Sequence, residues 1–437
     1  MQDLLSRLGT LDSKIGSLSL EKIARRTGFF RRSARKADAR QWLRTICMLS
    51  ALPARSYRTF GWLMGLIDGS SHSRQNIGKR MHVGFEHFLK DVLGQVVSNL
   101  VAPVKPVDPT FKSFGRVILQ DSTIIGLPAR MAKRFPGSAN QSGKPIAGMR
   151  IQAFFDLLSE SCLGFSTSPF IRNDQKASAD ILDLAQAGDL VVRDLGYSSL
   201  AVFHRLKQAG VHLLSRLKHG TCIFDQDGNQ LNLLKRLQRA GSLDTLVYIG
   251  SEARLPIRLI AVPVPEAVAA ERRRKARLNR DRRLNASEEK MRLLGWQILI
   301  TTVPPSRLSS DQIVKLYALR WRIETLFKAW KSHFHFGAVP THASVTFVYA
   351  LVLGGLLYVA VFQCLFQTLR HRHTDDQSHL SPLKLASILQ NLAAIELKAI
   401  IDDIPTDNLW ELTSYHCRYD KRKRPNHFQI VEDLSLG

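Results

Sequence analysis

Along the first hundred residues apolar side chains recur every three or four positions, a spacing that predicts helices and leaves little room for strands. Within this stretch, Ser-Arg-Gln-Asn-Ile-Gly-Lys-Arg at 73–80 opens like a helix that would present Arg74 and Gln75 to a groove. A helix-turn-helix reader and a plain helical bundle both fit that pattern. Three prolines at 103, 106 and 109 cannot continue a helix and mark a boundary near residue 105. Beyond it the period shortens. Segments 116–125, 149–158 and 162–170 are rich in β-branched and aromatic residues and predict strands. A helix at 174–187, a short buried strand at 189–194, a helix at 198–208 and a strand at 211–217 follow. Short strands at 245–250 and 258–262 and a basic helical stretch at 270–292 interrupt the pattern. It resumes with a strand at 296–302 and one long helix over 309–333.

Strands first, then strands alternating with helices, predict a mixed α/β sheet flanked by helical ends. The expected organisation is a helical domain at 1–105, a sheet core at 106–219 and 296–340, an insertion at 220–295, and a helical region at 341–437. Residues 344–369 are almost wholly apolar and long enough to cross a bilayer. Gly354, Gly355, Gln363 and Gln367 interrupt them, so a buried core helix is expected and no membrane partner.

Composition narrows the class. The chain has 437 residues, 45% hydrophobic and 23% charged, which excludes a disordered protein. Its five cysteines lie far apart without a C-x-x-C pair, so neither a disulfide scaffold nor a cysteine-rich zinc site is expected. Residues 1–20 lack a continuous apolar run, which points to a cytoplasmic protein. The net charge is +25, and it is clustered. Residues 1–60 carry 13 Lys/Arg against 4 Asp/Glu, including Arg31, Arg32, Arg35 and Lys36; further basic runs lie at 271–292 and 418–424. One such run is ordinarily a solvated face; three separated runs imply a long polyanion touched by several domains. The segment 137–144 imitates a phosphate-binding glycine loop, but its spacing is wrong and Pro145 stands where Ser or Thr is needed. No nucleotide cofactor is therefore expected.

Three acids stand where a polar site in such a sheet gathers. Asp121 lies in the first strand; Asp194 ends a later one, before a Gly196 expected to let the chain turn sharply. At about 100° per residue, helical geometry puts Tyr317, Arg320, Glu324, Lys328 and Lys331 on one face, with Leu316, Leu319, Ile323, Leu326, Phe327 and Trp330 anchoring the adjoining one. Arg320, Glu324 and Lys328 also read as i,i+4 ion pairs, but a carboxylate ringed by cations and a phenol suits metal-assisted phosphate chemistry. Arg216 and Lys218, after the strand 211–217, are candidate phosphate contacts.

Tyr317, Arg320, Glu324 and Lys331 match every position of Y-x2-R-x3-E-x6-K, and here the sequence resembles the transposases of insertion-sequence-four type over about residues 110–340. The resemblance implies a ribonuclease-H-like fold with a strand-containing insertion. It also implies that Asp121, Asp194 and Glu324 hold two Mg²⁺ ions, with Mn²⁺ able to substitute, and that Trp296 stacks on an extruded base. The implied partner is double-stranded DNA, both element ends and target, handled by a homodimer in a paired-end complex, with cleavage and strand transfer passing through a hairpin. The alternatives are a non-mobile nuclease of the same fold and a catalytically silent DNA-binding derivative.

Overall fold

The computed structural model describes residues 18–31, 37–68, 70–100, 113–138, 144–278, 287–372, 380–389 and 430. The proline-rich boundary at 101–109, the basic run at 418–424 and Arg32, Arg35 and Lys36 lie outside the described residues. The chain divides into two units. One comprises Met1–Lys105, Ser122–Arg172 and Arg322–Phe428; the other comprises Pro106–Asp121, Asn173–Trp321 and Gln429–Gly437.

In the first unit the three-to-four periodicity yields helices α1 (Leu20–Arg26), α2 (Ala39–Ala51), α3 (Tyr57–Asp68), α4 (Arg74–Arg80) and α5 (Val83–Leu100). Asp38 and Gln41 cap α2 reciprocally, and the Ser73 hydroxyl accepts the Asn76 amide at the start of α4. Phe29, Trp42, Phe60 and Phe85 form the aromatic core between them, with Phe29–Phe85 centroids 4.6 Å and Trp42–Phe60 centroids 5.0 Å apart. Gly61 lets α4 settle onto α3. A Cβ there would meet the His72 carbonyl oxygen at 2.8 Å and Ile77 Cδ1 at 2.9 Å.

The apolar stretch near the C-terminus forms a helix at Val345–Arg372, packed against α2 and α5 and mostly buried, as a core helix should be. Its neighbours also bond it. Ser50 Oγ donates to the Leu351 carbonyl at 2.9 Å, and the Tyr349 and Thr167 hydroxyls lie 2.6 Å apart.

Among the described residues nine strands form the sheet: β1 (Val117–Leu127), β2 (Ala147–Asp156), β3 (Ser161–Pro169), β4 (Leu190–Arg193), β5 (His212–Arg216), β6 (Ile223–Phe224), β7 (Leu243–Ile249), β8 (Leu255–Pro263) and β9 (Trp296–Thr301). Their order is β3-β2-β1-β4-β5-β9-β8-β7-β6. In the first unit β2 and β3 form an antiparallel hairpin. In the second, β4 runs parallel to residues 117–120 of β1, and β5 parallel to β4. Strands β6 to β9 continue antiparallel from β5, so the interrupting segment adds its strands to the sheet through β9. The sheet mixes parallel and antiparallel pairs, as expected.

Two expectations are corrected. The 174–187 segment is a 3₁₀ helix, Lys176–Asp183, because the Ala177 and Ser178 carbonyls turn aside to accept bonds from Gln120 and Arg193. The long helix is broken in two, Ser310–Ala318 and Trp321–His333. Leu319 and Arg320 close the first piece with tight i−3 bonds, both 3.1 Å, although no proline or glycine is present. Arg320 turns inward and is 7% exposed, whereas Trp321 is 64% exposed. The helix is broken by a tertiary demand on Arg320.

The close approach at Gly61 has a measurable consequence. Gly61→Ala should lose about 1–3 kcal/mol in chemical denaturation through overpacking. Gly94→Ala, in α5 with no neighbour within 4 Å, should gain up to about 1 kcal/mol from helix propensity.

Candidate active site

The β1–β4 ladder ends at the rung Gln120↔Arg193, and the residues immediately beyond it are Asp121 and Asp194. Residues 117–120 are fully buried, and the pattern opens at Asp121, so the paired strands deliver two carboxylates to the margin of a dry interior. Their side chains are 15% and 40% exposed. Asp194 occupies the N-cap position of a 3₁₀ turn, Leu195–Tyr197, yet its side chain makes no capping bond. It faces Tyr317 and Arg320 instead. The chain turns at Gly196, as expected, within the 3₁₀ turn Leu195–Tyr197 and without a left-handed conformation; a Cβ there would meet the Asp174 side chain at 3.3 Å.

Tyr317 and Arg320 come from the end of Ser310–Ala318 and the break that follows it. Arg320 Nη1 donates to Asp121 Oδ2 at 3.2 Å, and its Nε lies 3.9 Å from Asp194 Oδ1. Tyr317 Oη donates to Asp194 Oδ1 at 3.4 Å. Burial raises the Tyr317 phenol above the ordinary tyrosine range, and the Asp194 charge raises it further, against Arg320 and Arg216. Tyr317 is therefore a standing proton donor to Asp194. Arg320 thus reaches both carboxylates, and its positive charge offsets the repulsion between them.

The opposite strand face carries a support that the sequence reading did not include. Gln120 Nε2 donates to the Ala177 carbonyl at 3.2 Å. Arg193 donates to Ser178 Oγ at 2.8 Å and to its carbonyl at 2.7 Å, and Ser178 Oγ in turn donates to the Tyr197 carbonyl at 2.8 Å. Burial lowers the Arg193 pKa to about 9, yet it still carries its charge near neutral pH. The only advance signal was a polar residue before each aspartate in an otherwise apolar strand.

Within the same unit a cavity of about 470 Å³ is lined by Leu195, Arg216, Lys218, Lys290, Leu293 and Trp296, among others. Three residues singled out from sequence thus meet at one cavity that begins beside Asp194. The Trp296 indole N–H donates to the Gly241 carbonyl at 2.7 Å, which holds the ring. Arg272, from the basic 271–292 run, donates to the Trp296 carbonyl at 3.2 Å.

Glu324 lies in the first turn of Trp321–His333, in the other unit, half-buried; Lys328 and Lys331 on the same helix are exposed. Arg31 is exposed in the N-terminal helical region. Burial and the charges of Arg31 and Arg80 lower the pKa of His82, which places both guanidinium groups near that ring.

Residues 112–359 match the transposase DDE domain family. The chain belongs to the DDE transposases. The transposase for insertion sequence element IS231C of Bacillus thuringiensis subsp. berliner is 28% identical over 421 residues, 87% of this chain and 84% of that protein. The one for IS231D of Bacillus thuringiensis subsp. finitimus is 30% identical over 339 residues, 72% of this chain and 70% of that protein. Among solved structures, a piggyBac transposase synaptic complex with hairpin DNA overlays at a TM-score of 0.43 with 10% identity, covering 92% of this chain and 82% of that one. This transposase is an IS231-type enzyme of a bacterial insertion sequence, one that cuts DNA and transfers strands.

Enzymes of this family work with a divalent metal ion, and the residues present suit one. Asp121 and Asp194 offer hard oxygen donors that remain partly open to solvent.

The Tyr317 shift has a definite sign. A phenol whose folded-state pKa is raised adds stability that is complete below its unfolded value, near 10, and is lost as the pH climbs above it. Tyr317→Phe should be about 1 kcal/mol less stable near neutral pH through the lost bond to Asp194. It should then lose stability less steeply than the parent in thermal melts above about pH 10.

Proposed function

We propose that Asp121, Asp194 and Glu324 together form the cleavage and strand-transfer centre and hold two Mg²⁺ ions, with Mn²⁺ able to replace them. What supports this most directly is the Asp121–Arg320–Asp194 arrangement at the end of the β1–β4 ladder. When bound, such ions activate the attacking oxygen and stabilise the departing one in an in-line displacement at phosphorus. The chain's own groups do the rest. Tyr317 keeps Asp194 oriented, and Arg320 balances the charge of the carboxylate pair. Lys328 and Lys331 meet the DNA phosphates.

The substrate is the pair of terminal inverted repeats of the element itself, cut and pasted into target DNA by a homodimer that brings both ends together. The Y-x2-R-x3-E-x6-K signature, which Tyr317, Arg320, Glu324 and Lys331 satisfy, ties this chain to that chemistry. A hairpin intermediate fits the cavity beside Asp194, where Trp296 offers a held aromatic face to an extruded base and Arg216 and Lys218 offer charge to its phosphates. End recognition belongs to the N-terminal helices. Arg31 and Arg80 both act on the His82 ring there, and α4 exposes Arg74, Gln75 and Lys79, side chains suited to phosphates and base edges. Arg32, Arg35 and Lys36 extend this surface in the sequence. The setting is the cytoplasm, on the nucleoid.

Asp121→Asn, Asp194→Asn and Glu324→Gln should each reduce Mg²⁺-dependent cleavage of a duplex carrying the element end by at least about a thousandfold while end binding in gel shifts persists. Normal cleavage by any one of them removes that residue from the centre. Pre-cut ends should be joined to target DNA by the parent protein. Cleavage without joining would instead mark a plain nuclease, and neither activity a silent derivative.

A further inference from the structure

Two glutamines interrupt the apolar helix Val345–Arg372, and the function described so far leaves them unused. They stand four residues apart on one helix face. Gln363 donates to the Glu160 carbonyl, and Gln367 donates to the Ser159 carbonyl at 2.6 Å and to Ser161 Oγ at 2.6 Å. Ser159 and Glu160 belong to the turn between β2 and β3, and Ser161 opens β3 directly after it. Asp156 braces the same turn, accepting from the Ser159 amide at 3.1 Å and its hydroxyl at 2.6 Å.

At the tip of this turn Glu160 has φ +52°, a left-handed conformation that glycine or asparagine would normally occupy. It is also 2% exposed. A charged residue at such a position is costly twice over, in backbone conformation and in desolvation. Its carboxylate meets Arg322: Arg322 Nη2 donates to Glu160 Oε1 at 2.8 Å, and the Arg322 side chain is 4% exposed. Arg322 lies on the helix Trp321–His333, two residues before Glu324, and its contacts with the turn fall within one unit. At about 100° per residue the two side chains leave that helix on nearly opposite sides.

We propose that the Glu160–Arg322 pair is a positioning device that sets the rotation of the helix about its own axis and thereby the place of the Glu324 carboxylate. The inference rests on the reading of Glu324 as the third acid. The neighbouring apolar side chains Ile323, Leu326, Phe327 and Trp330 bury that helix, but apolar contact is non-directional and tolerates small rotations. A charge-assisted bond to a turn held from two other sides does not. With a side-chain radius of about 5–6 Å, a rotation of about 10° moves a carboxylate by about 1 Å. Misplacement of that size costs a reaction about a hundredfold.

The test uses the full-length protein with Glu160→Leu/Arg322→Met, which replaces the buried pair by apolar groups, and Arg322→Lys, which keeps the charge but moves its point of contact. The double variant should melt close to the parent, because apolar replacement of a buried ion pair is commonly neutral or stabilising. It should bind end duplex with unchanged Kd, cleave with kcat lowered about 30- to 100-fold, and need more Mn²⁺ both for half-maximal cleavage and for metal-induced thermal stabilisation of the end complex. A folded double variant with parental kcat and Mn²⁺ midpoints overturns the proposal. Should the double variant melt far below the parent, Arg322→Lys carries the same expectation, and parental kinetics there overturn it equally. Glu324→Gln is measured alongside. Normal cleavage by it sinks the assignment of the acid; loss of cleavage there, with none in the paired variants, sinks only the positioning role.

Discussion

Two carboxylates delivered to the margin of a buried parallel ladder repel each other, and the second unit is arranged around that constraint. Asp121 and Asp194 arrive together because β1 and β4 are paired up to the residues just before them. Arg320 reaches both, and the Tyr317 hydroxyl donates to Asp194. The helix carrying Tyr317 and Arg320 ends where it does because Arg320 must turn inward while Trp321 remains exposed. A Cβ at Gly196 would press on the Asp174 side chain at 3.3 Å. Behind the strands, Gln120 and Arg193 draw a 3₁₀ segment against the sheet and so fix the backbone from which both aspartates project.

A buried arginine whose hydrogen bonds go to a serine hydroxyl and carbonyl is a poor source of stability, since desolvation of the guanidinium is barely offset by neutral acceptors. Its worth lies in geometry. Five donors in a rigid fork hold Ser178 and, through it, the Tyr197 carbonyl, so the turn that begins at Asp194 is tied at both ends. The Glu160–Arg322 pair of the first unit uses the same device, again spending stability on direction.

Much of this was legible along the chain. The strands at 116–125, 149–158, 162–170, 189–194, 211–217, 245–250, 258–262 and 296–302 are present within a few residues, because alternating or continuous β-branched runs are local signals. Helices at 198–208 and 344–369 are likewise present, the latter buried as its glutamines suggested. What escaped was set by contacts distant in sequence. Nothing near Leu319 announces a helix break, and the 174–187 segment has ordinary helical composition; remote acceptors and donors decided both. The two-residue strand Ile223–Phe224 and the helix Leu233–Ala240 were too short or too charged to stand out.

The sequence by itself determined the class of this protein. A charge of +25, acids placed on apolar strands and a Y-x2-R-x3-E-x6-K run are properties of residue order that folding does not alter. Which strand lies beside which, and hence that Asp121 and Asp194 share one arginine, only the tertiary structure decided. Period and propensity act over a few residues, whereas ladder register, buried charge and the inward turn of Arg320 that breaks a helix arise between segments that meet only in the folded chain.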